Sequence, residues 1–413
     1  MPRKIPWAEY SELVVLFFLH AVSLGMWFVP LSTVLDAHSF QAIKPFAFAT
    51  SAVAAFVSPL VFGAMADHHV PAPKVLRWLA VATALAMALA ATAIRLHWNQ
   101  WLVLGLIQLH ALCSAPTWSI STTIVLARLV DAKRHFGPVR AMGTLGWMAG
   151  CWLVSALHAD NSTASGYAGA MAWLTVAAFT FFLPAVQPPA AAEHLTIKQR
   201  LGLDALTLLQ HADHRVVFIT AALFSIPLAA FYPYSPMHLR ELGLSHTTAW
   251  MTLGQTTEML TMFSLGALLM RCRLKWILTA GLGFGVLRFA LCAVDARGWL
   301  LAGITLHGLS FTLVYITAQI YLDERIDTKW RARAQALLAL MMSGVGNLLG
   351  YLGCGWWFQA SHTGATMRWP LFWGGLAAVV FAVLVYFVFA YRGLGKIHEA
   401  AGSMVVGKDL QQE

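Results

Sequence analysis

The chain is a succession of apolar stretches, each about long enough to cross a bilayer and each followed by a short polar or basic connection. Crossing the hydrocarbon core takes roughly 20 apolar residues per helix. In lipid, every backbone N–H and C=O must also be paired within the segment or with a neighbour. Runs of that kind cover roughly 11–34, 43–65, 74–95, 100–126, 137–158 and 165–187, then 215–237, 246–270, 275–294, 298–321, 332–357 and 369–391, predicting about twelve helices. Of the 413 residues, 59% are hydrophobic and 11% charged. A soluble domain carries about 25% charged residues, so this chain cannot cover a water-facing surface. It is expected to be an all-α polytopic membrane protein.

The longest stretch that is not of spanning character, 188–214, separates six helices from six. The layout predicts an N-terminal bundle over 1–187, an inter-bundle loop over 188–214, a C-terminal bundle over 215–395 and a tail over 396–413. Within the loop, Leu201, Leu203, Leu206, Leu208 and Leu209 accompany Lys198, Arg200 and His211. That pattern fits either a short interfacial helix or a plain tether. Two six-helix bundles with a substrate site between them are a common transporter plan.

Net charge is +9, which in a soluble chain could signal nucleic acid. Here the cations sit between apolar blocks, so topology explains them and no nucleic-acid partner is expected. With both termini on one side, the loops facing the other side hold only Lys44, Arg95, Arg240, Arg297 and Arg368. The same-side loops hold most of the rest, from Arg3 and Lys4 through Lys133 and Arg134 to Arg331, Arg333 and Arg392. The positive-inside rule then places both termini in the cytoplasm. The first block has no small-residue cleavage site before it and is expected to be retained as a helix. The five cysteines form no CxxC pair, and no HxxxH or HExxH occurs, so neither a disulfide framework nor a metal site is expected. No GxSxG, Walker loop or paired carboxylates occur either. The expectation is therefore not an enzyme but a secondary transporter without cofactors.

In such a chain the informative residues are polar ones in the wrong solvent. Glu258 lies mid-helix in LGQTTEML. A central charge costs at least about 2.5–3.5 kcal/mol on insertion scales, so Glu258 is expected either to face a cavity or to bridge helices in its neutral form. A carboxyl group removed from water is held more readily protonated, which suits a proton carrier. Gln255 precedes it by three residues, on the same face. Arg140 opens the fifth predicted helix in GPVRAMGTLGW, followed by Thr144 and Trp147 at i+4 and i+7. That face could hold a ligand, or Arg140 could snorkel to the headgroups, while Gly143 and Gly146 suit tight helix packing. His20, His110 and His307 are embedded, and packing is the commoner role for such histidines. Arg288 is expected to be structural. The run Phe231–Pro236 carries two prolines at helix interior positions and should open the seventh helix, so that Tyr232 and Tyr234 either meet a ring of the solute or stand as belt tyrosines at a kink near the outer interface.

Ordered blocks along about residues 15–355 resemble the nucleoside:proton symporter family of the major facilitator superfamily. They include Phe18-Leu19-His20 with Gly25 and Trp27, Gly63 to Asp67, Ala115-Pro116-Thr117, Arg140 with Gly143 to Gly146, and Leu201 to Asp204. In the second half they include Leu253-Gly254-Gln255 with Glu258, Leu287-Arg288, Leu306-His307-Gly308, Gln319-Ile320-Tyr321, and Arg331 with Ala334-Gln335. The resemblance implies a major facilitator fold in the inner membrane and a monomeric importer of nucleosides coupled to protons. It implies a binding site at Arg140, Thr144, Trp147, Gln255, Glu258, Phe311 and Tyr232, proton coupling at Glu258, and a gating loop at Asp67. The chain departs from the pattern at Thr312, where the family carries an acid, and at His20, His68 and Ala229. The departures keep open a permease for another polar solute, such as a sugar or peptidoglycan fragment, and a non-transporting sensor on the same fold.

Overall fold

In the computed structural model the described residues are 7–67, 70–129, 132–185, 196–364 and 366–393. The first half contains α1 (Trp7–Phe28), α2 (Leu31–Ala37), α3 (Lys44–Asp67), α4 (Ala72–Arg95), α5 (Gln100–Arg128), α6 (Ala132–Ala156) and α7 (Ala164–Phe179). A short α8 (Ile197–Arg200) and a 3₁₀ stretch, Leu203–Gln210, lead to the second half. There follow α9 (Ala212–Leu228), α10 (Phe231–Glu241), α11 (Thr247–Trp250), α12 (Thr252–Arg271), α13 (Leu274–Cys292), α14 (Arg297–Phe311), α15 (Thr317–Arg325), α16 (Thr328–Ala339), α17 (Asn347–Ala360) and α18 (Trp369–Ala390). A two-stranded antiparallel ribbon, with His362 opposite Met367 and Thr363 opposite Thr366, precedes α18.

Among the described residues, eight helical runs are long and apolar enough to cross a membrane, beginning at Glu9, Ala72, Gln100, Ala212, Leu274, Arg297, Thr328 and Trp369. Those eight crossings stand on length and composition alone. Helix also occupies the other intervals expected to span, as α3, α6, α7 and α12, without meeting the same criteria.

Several expected helices are interrupted, each for a local reason. The stretch 11–34 is not one helix, because Pro30 lacks an N–H and ends α1 before α2 begins. The seventh predicted helix opens at Ala229–Ala230, four residues before Pro233, whose ring cannot accept a straight helix against the Ala229 carbonyl. Wider, π-helical turns at Thr312–Ile316 and Leu340–Gly346 had no sequence expectation. Such turns replace i→i−4 by i→i−5 bonding and often mark functional positions.

Packing falls into two groups. In one, α1 lies against α6 and α7, α4 against α5 and α7, and α3 against α5. In the other, α13 lies against α14 and α18, α12 against α14, and α9 against α17 and α18. The groups meet where α3 touches α17, α6 touches α11 and α12, and α2 touches α10. The 201–210 stretch is not a free tether. It docks on α16, with the Arg333 guanidinium donating to Asp204 at 2.9 Å, and its Leu208 and Leu209 pack against the second core.

α1 and α6 approach so closely that backbone meets backbone. A methyl group on Gly25 would stand 2.6 Å from the Trp147 carbonyl oxygen, and one on Gly146 would collide with the Phe18 carbonyl. Small residues permit this approach, and lipid supplies no hydrophobic force to replace it. Gly146→Leu is therefore expected to lower stability by about 1–3 kcal/mol or abolish folding. Gly105→Ala, where nothing lies within 4 Å, should melt like wild type. Thermal unfolding in detergent, followed by size-exclusion chromatography, measures both. Equal melting of the two variants would refute the close-packing argument.

Candidate functional site

The polar face expected on α6 turns inward. Arg140, Thr144 and Trp147 line a cavity of about 240 Å³ together with Gln255 and Glu258 of α12 and Tyr232 of α10. Arg140 does not snorkel to a headgroup. Its guanidinium lies 4.7 Å over the ring of Trp118, from α5, which also lines the cavity. Trp118 is itself braced edge-on by Phe17 at 5.2 Å. A weakly hydrated planar cation over an indole is a stable arrangement away from bulk water. Glu258 faces the same space and feels the Arg140 charge, so one charge of each sign is presented from the two helix groups.

Among the described residues, two polar atoms of the side chains lining this cavity are buried without a partner. The Gln255 amide nitrogen donates to the Tyr232 hydroxyl at 3.0 Å, which leaves Gln255 Oε1 without a donor. Trp147 Nε1–H has no acceptor. Buried polar groups in folded proteins are almost always satisfied, and these two, closed off in this conformation, would gain partners if the gap widened to admit a solute or water. Aromatic rings close the same region: Tyr232 lies 5.2 Å from Phe28 and 6.0 Å from Trp147, centroid to centroid.

A second cavity of about 370 Å³ shares Tyr232 and Glu258 with the first and holds Phe311. On α14 and the wide turn after it, His307, Phe311 and Tyr315 fall at i, i+4 and i+8 and make a ladder of near-parallel rings, at 5.9 and 4.7 Å. Ser343 and Asn347 face it from the wide turn at 340–346 and the start of α17. Both wide turns thus border this cavity.

Every expected binding residue lines one cavity or both: Arg140, Thr144, Trp147 and Gln255 the first, Phe311 the second, and Tyr232 and Glu258 both. Asp67 ends α3, and its side chain lies outside the described residues, as do His68 and His69. Trp118, Ser343 and Asn347 carried no expectation. Asn347 could have been found by the rule that flagged Gln255, an amide inside an apolar helix. Trp118 gave no such sign among seventeen tryptophans. His20 is a packing residue, its ring nitrogens bonded to Ser121 and Thr117 hydroxyls at 2.9 Å. His110 packs beside Trp27 at 5.7 Å. Thr312 is fully buried, and its hydroxyl donates to the Glu258 carbonyl at 3.5 Å. Among the described residues, no cluster of His, Cys, Asp or Glu could hold a metal.

One end of the gap between the groups is sealed by hydrogen bonds centred on Asp160. Its carboxylate accepts from the Ser155 hydroxyl and the Thr248 N–H, both at 2.8 Å, and the Ser155 hydroxyl oxygen accepts from the Ala249 N–H at 3.0 Å. The Asp160 carbonyl also accepts from Thr33, and Ser32 donates to the Pro233 carbonyl. Since α6 runs from Arg140 through Trp147 to Ser155, the first cavity lies toward the Arg140 end of α6 from this seal. An anion at the first turn of α11 also suits the helix dipole.

Known proteins match nearly the whole chain. The family model described as nucleoside H+ symporter matches residues 9–394. YegT of Escherichia coli (strain K12) is 33% identical over 404 residues, covering 92% of this chain and 93% of that protein. The xanthosine permease of the same organism is 23% identical, covering 92% and 96%. The crystal structure of nucleoside transporter NupG superposes with a TM-score of 0.82 at 22% identity, covering 93% of this chain and 99% of that one. A single-residue mutant of NupG gives 0.86 at the same identity. The structural likeness shows the shared fold, the major facilitator fold.

If Asp160 holds the seal, Asp160→Ala should destabilise the protein by about 1–3 kcal/mol, since it leaves Ser155 and the Thr248 N–H without their acceptor. Asp160→Asn keeps an acceptor oxygen and should stay within about 1 kcal/mol of wild type. Thermal unfolding of the purified proteins measures the pair, and an alanine variant as stable as wild type would count against the seal.

Proposed function

The chain belongs to the nucleoside H+ symporter family, and from that premise we propose that it imports nucleosides together with protons by alternating access around the cavities described above. The observation that carries the site assignment is that Arg140 and Glu258, from the two helix groups, line one cavity together with Thr144, Trp147, Gln255 and Tyr232. A nucleoside offers hydroxyls that both donate and accept, and a flat base with mixed edges. Arg140, Thr144, Gln255 and Glu258 bond the ribose and base, while Trp147 and Phe311 stack on the base and Tyr232 closes over it. Flat rings prefer offset stacking on other rings, and both cavities supply them.

Glu258 is the proton site in this proposal. A carboxylate facing Arg140 in a narrow gap, with a solute between them, changes its protonation as the gap opens to one side or the other. Loading requires the neutral form when the cavity faces outward, and release follows loss of the proton inward. The Asp160 seal would stand at the outer end in this orientation, which supports reading this conformation as inward-facing. The same proposal takes twelve crossings, bundles at 1–187 and 215–395, both termini in the cytoplasm, the inner membrane as the location, a single chain as the working unit and Asp67 in the gating loop.

In proteoliposomes with an inward proton gradient, Glu258→Gln should abolish accumulation of labelled nucleoside above equilibrium. Exchange of external for internal nucleoside should persist within a few-fold of wild type, because a neutral amide mimics only the protonated form. Undiminished accumulation by this variant would remove Glu258 from the coupling role. Uptake of sugars or muropeptides in place of nucleosides by the wild-type protein would overturn the substrate assignment.

A further inference from the structure

Arg288 is an arginine in the interior of α13, only 1% exposed. Among the described residues no carboxylate bonds it. Its guanidinium lies between the rings of Phe231 at 4.8 Å and Phe289 at 4.6 Å. Its one hydrogen-bonded side chain is His307, with Nη1 to Nδ1 at 2.5 Å. Guanidinium carries donors only, so Nδ1 of His307 must accept. The remaining proton of a neutral imidazole is then on Nε2. A second proton on Nδ1 would place N–H against N–H beside a permanent cation.

The rest of the ring is held as firmly. His307 stacks on Phe231 at 3.8 Å with planes 7° apart. The α12 backbone abuts its edge, since a methyl group on Gly254 would lie 3.3 Å from its Cβ and Cδ2. Nε2 has no partner among the described residues. Unlike Arg288 Nε it is not sealed in, and His307 lines the second cavity beside Phe311 and Glu258. Which ring nitrogen carries the proton is set by the bond the other one makes. Here that bond goes to Arg288, which is not among the residues lining the cavity.

We propose that Arg288 is a positioning residue that locks His307 as a neutral imidazole with its Nε2–H aimed into the cavity, making His307 a specificity-determining donor to a carbonyl oxygen or ring nitrogen of the nucleobase. The inference rests on the nucleoside assignment above. It separates two roles: Glu258 changes its proton during transport, whereas His307 keeps one tautomer and reads the base. A site built around a fixed donor discriminates by leaving that donor unpaired when the acceptor is missing.

Two substitutions divide the ring's functions. His307→Asn puts an amide near the Nδ1 position and leaves nothing at Nε2, whereas His307→Gln reaches the Nε2 position with an N–H. Uptake KM should be measured in proteoliposomes for inosine against purine riboside, which lacks the 6-oxygen. The same measurement should be made for uridine against its 4-deoxy analogue, and for adenosine against its 7-deaza analogue. For at least one pair, wild type should prefer the acceptor-bearing member by on the order of tenfold. His307→Asn should erase that preference by raising KM for that member alone, and His307→Gln should retain it. Arg288→Met should erase it as well, with Arg288→Lys restoring part. In the wild-type protein labelled with ¹⁵N-histidine, the resonance lost in His307→Gln should carry the signature of a neutral ring protonated on Nε2, which tests the lock without any activity. Protonation on Nδ1 or on both nitrogens would overturn the proposal. A His307→Asn variant that keeps every preference of an active wild type would overturn it too, leaving the nucleoside assignment standing. Wild type that takes up no nucleoside overturns both.

Discussion

An arginine and a glutamate share one gap between two helix groups, at a depth where neither could be left alone in hydrocarbon. That constraint organises the rest. Each charge needs a wet or polar wall, so the helices carrying them, α6 and α12, must border a cavity rather than lipid. Arg140 meets the requirement with the Trp118 ring and the polar gap. Glu258 meets it with the gap and with Arg140's field. Among the described residues neither forms a close ion pair, and a locked pair would be a poor carrier, because its charges would have no reason to separate when a solute arrives.

The walls of that gap differ in stiffness. Behind Arg140, α6 is pressed onto α1 at Gly25 and Gly146 with backbone in contact, so that wall moves as a block with α1. Opposite, the helices bordering the second cavity contain wide turns at Thr312–Ile316 and Leu340–Gly346, and the chain between α9 and α10 breaks at Ala229–Ala230. Wide turns and proline breaks leave backbone groups only loosely tied within the helix, so changes of shape concentrate on the α10, α14 and α17 side. Tyr232 and Glu258 stand between the two cavities, at the junction of the stiff wall and the compliant one.

How much of this was legible in the sequence depended on what kind of physics set each feature. Helix placement follows from solvent, and solvent is written in long apolar runs, so helix occupies each expected interval, although α7 stops at Phe179, well short of the expected 187. The pairing of Arg140 with Glu258 was legible for the same reason, as both are polar exceptions inside such runs. Helix i, i+3 and i+4 spacing also put Gln255 beside Glu258, and Thr144 beside Arg140. The break at Pro30 was present in the residues but was read through, because the apolar run continues across it. The wide turns were not legible: LVYI and MMSGVG contain nothing that a regular helix forbids, and only the fit against neighbouring helices selects the extra residue per turn. Trp118 was hidden by the abundance of its kind. The hydrogen bond from Arg288 to His307 was hidden because, although α13 and α14 are consecutive, nothing in the residues says which faces of the two helices meet.

Thr312 brings these threads together. In the family pattern an acid stands there, and in this chain a fully buried hydroxyl donates to the backbone carbonyl of Glu258 instead. An ionised carboxylate could not occupy that position without facing a carbonyl oxygen, so the site would have to keep such a group protonated or turn it toward the cavity. With threonine the requirement disappears, and the wide turn that begins at this residue is pinned to α12 by an uncharged bond. The chain therefore concentrates its titratable chemistry in the gap on Glu258. Its neighbours on α14 are a neutral hydroxyl, an aromatic ring and a histidine whose Nδ1 is already engaged by a cation. In the proposed cycle, a single carboxylate set among groups of fixed charge is the simplest arrangement by which a proton gradient could be tied to movement of an uncharged solute.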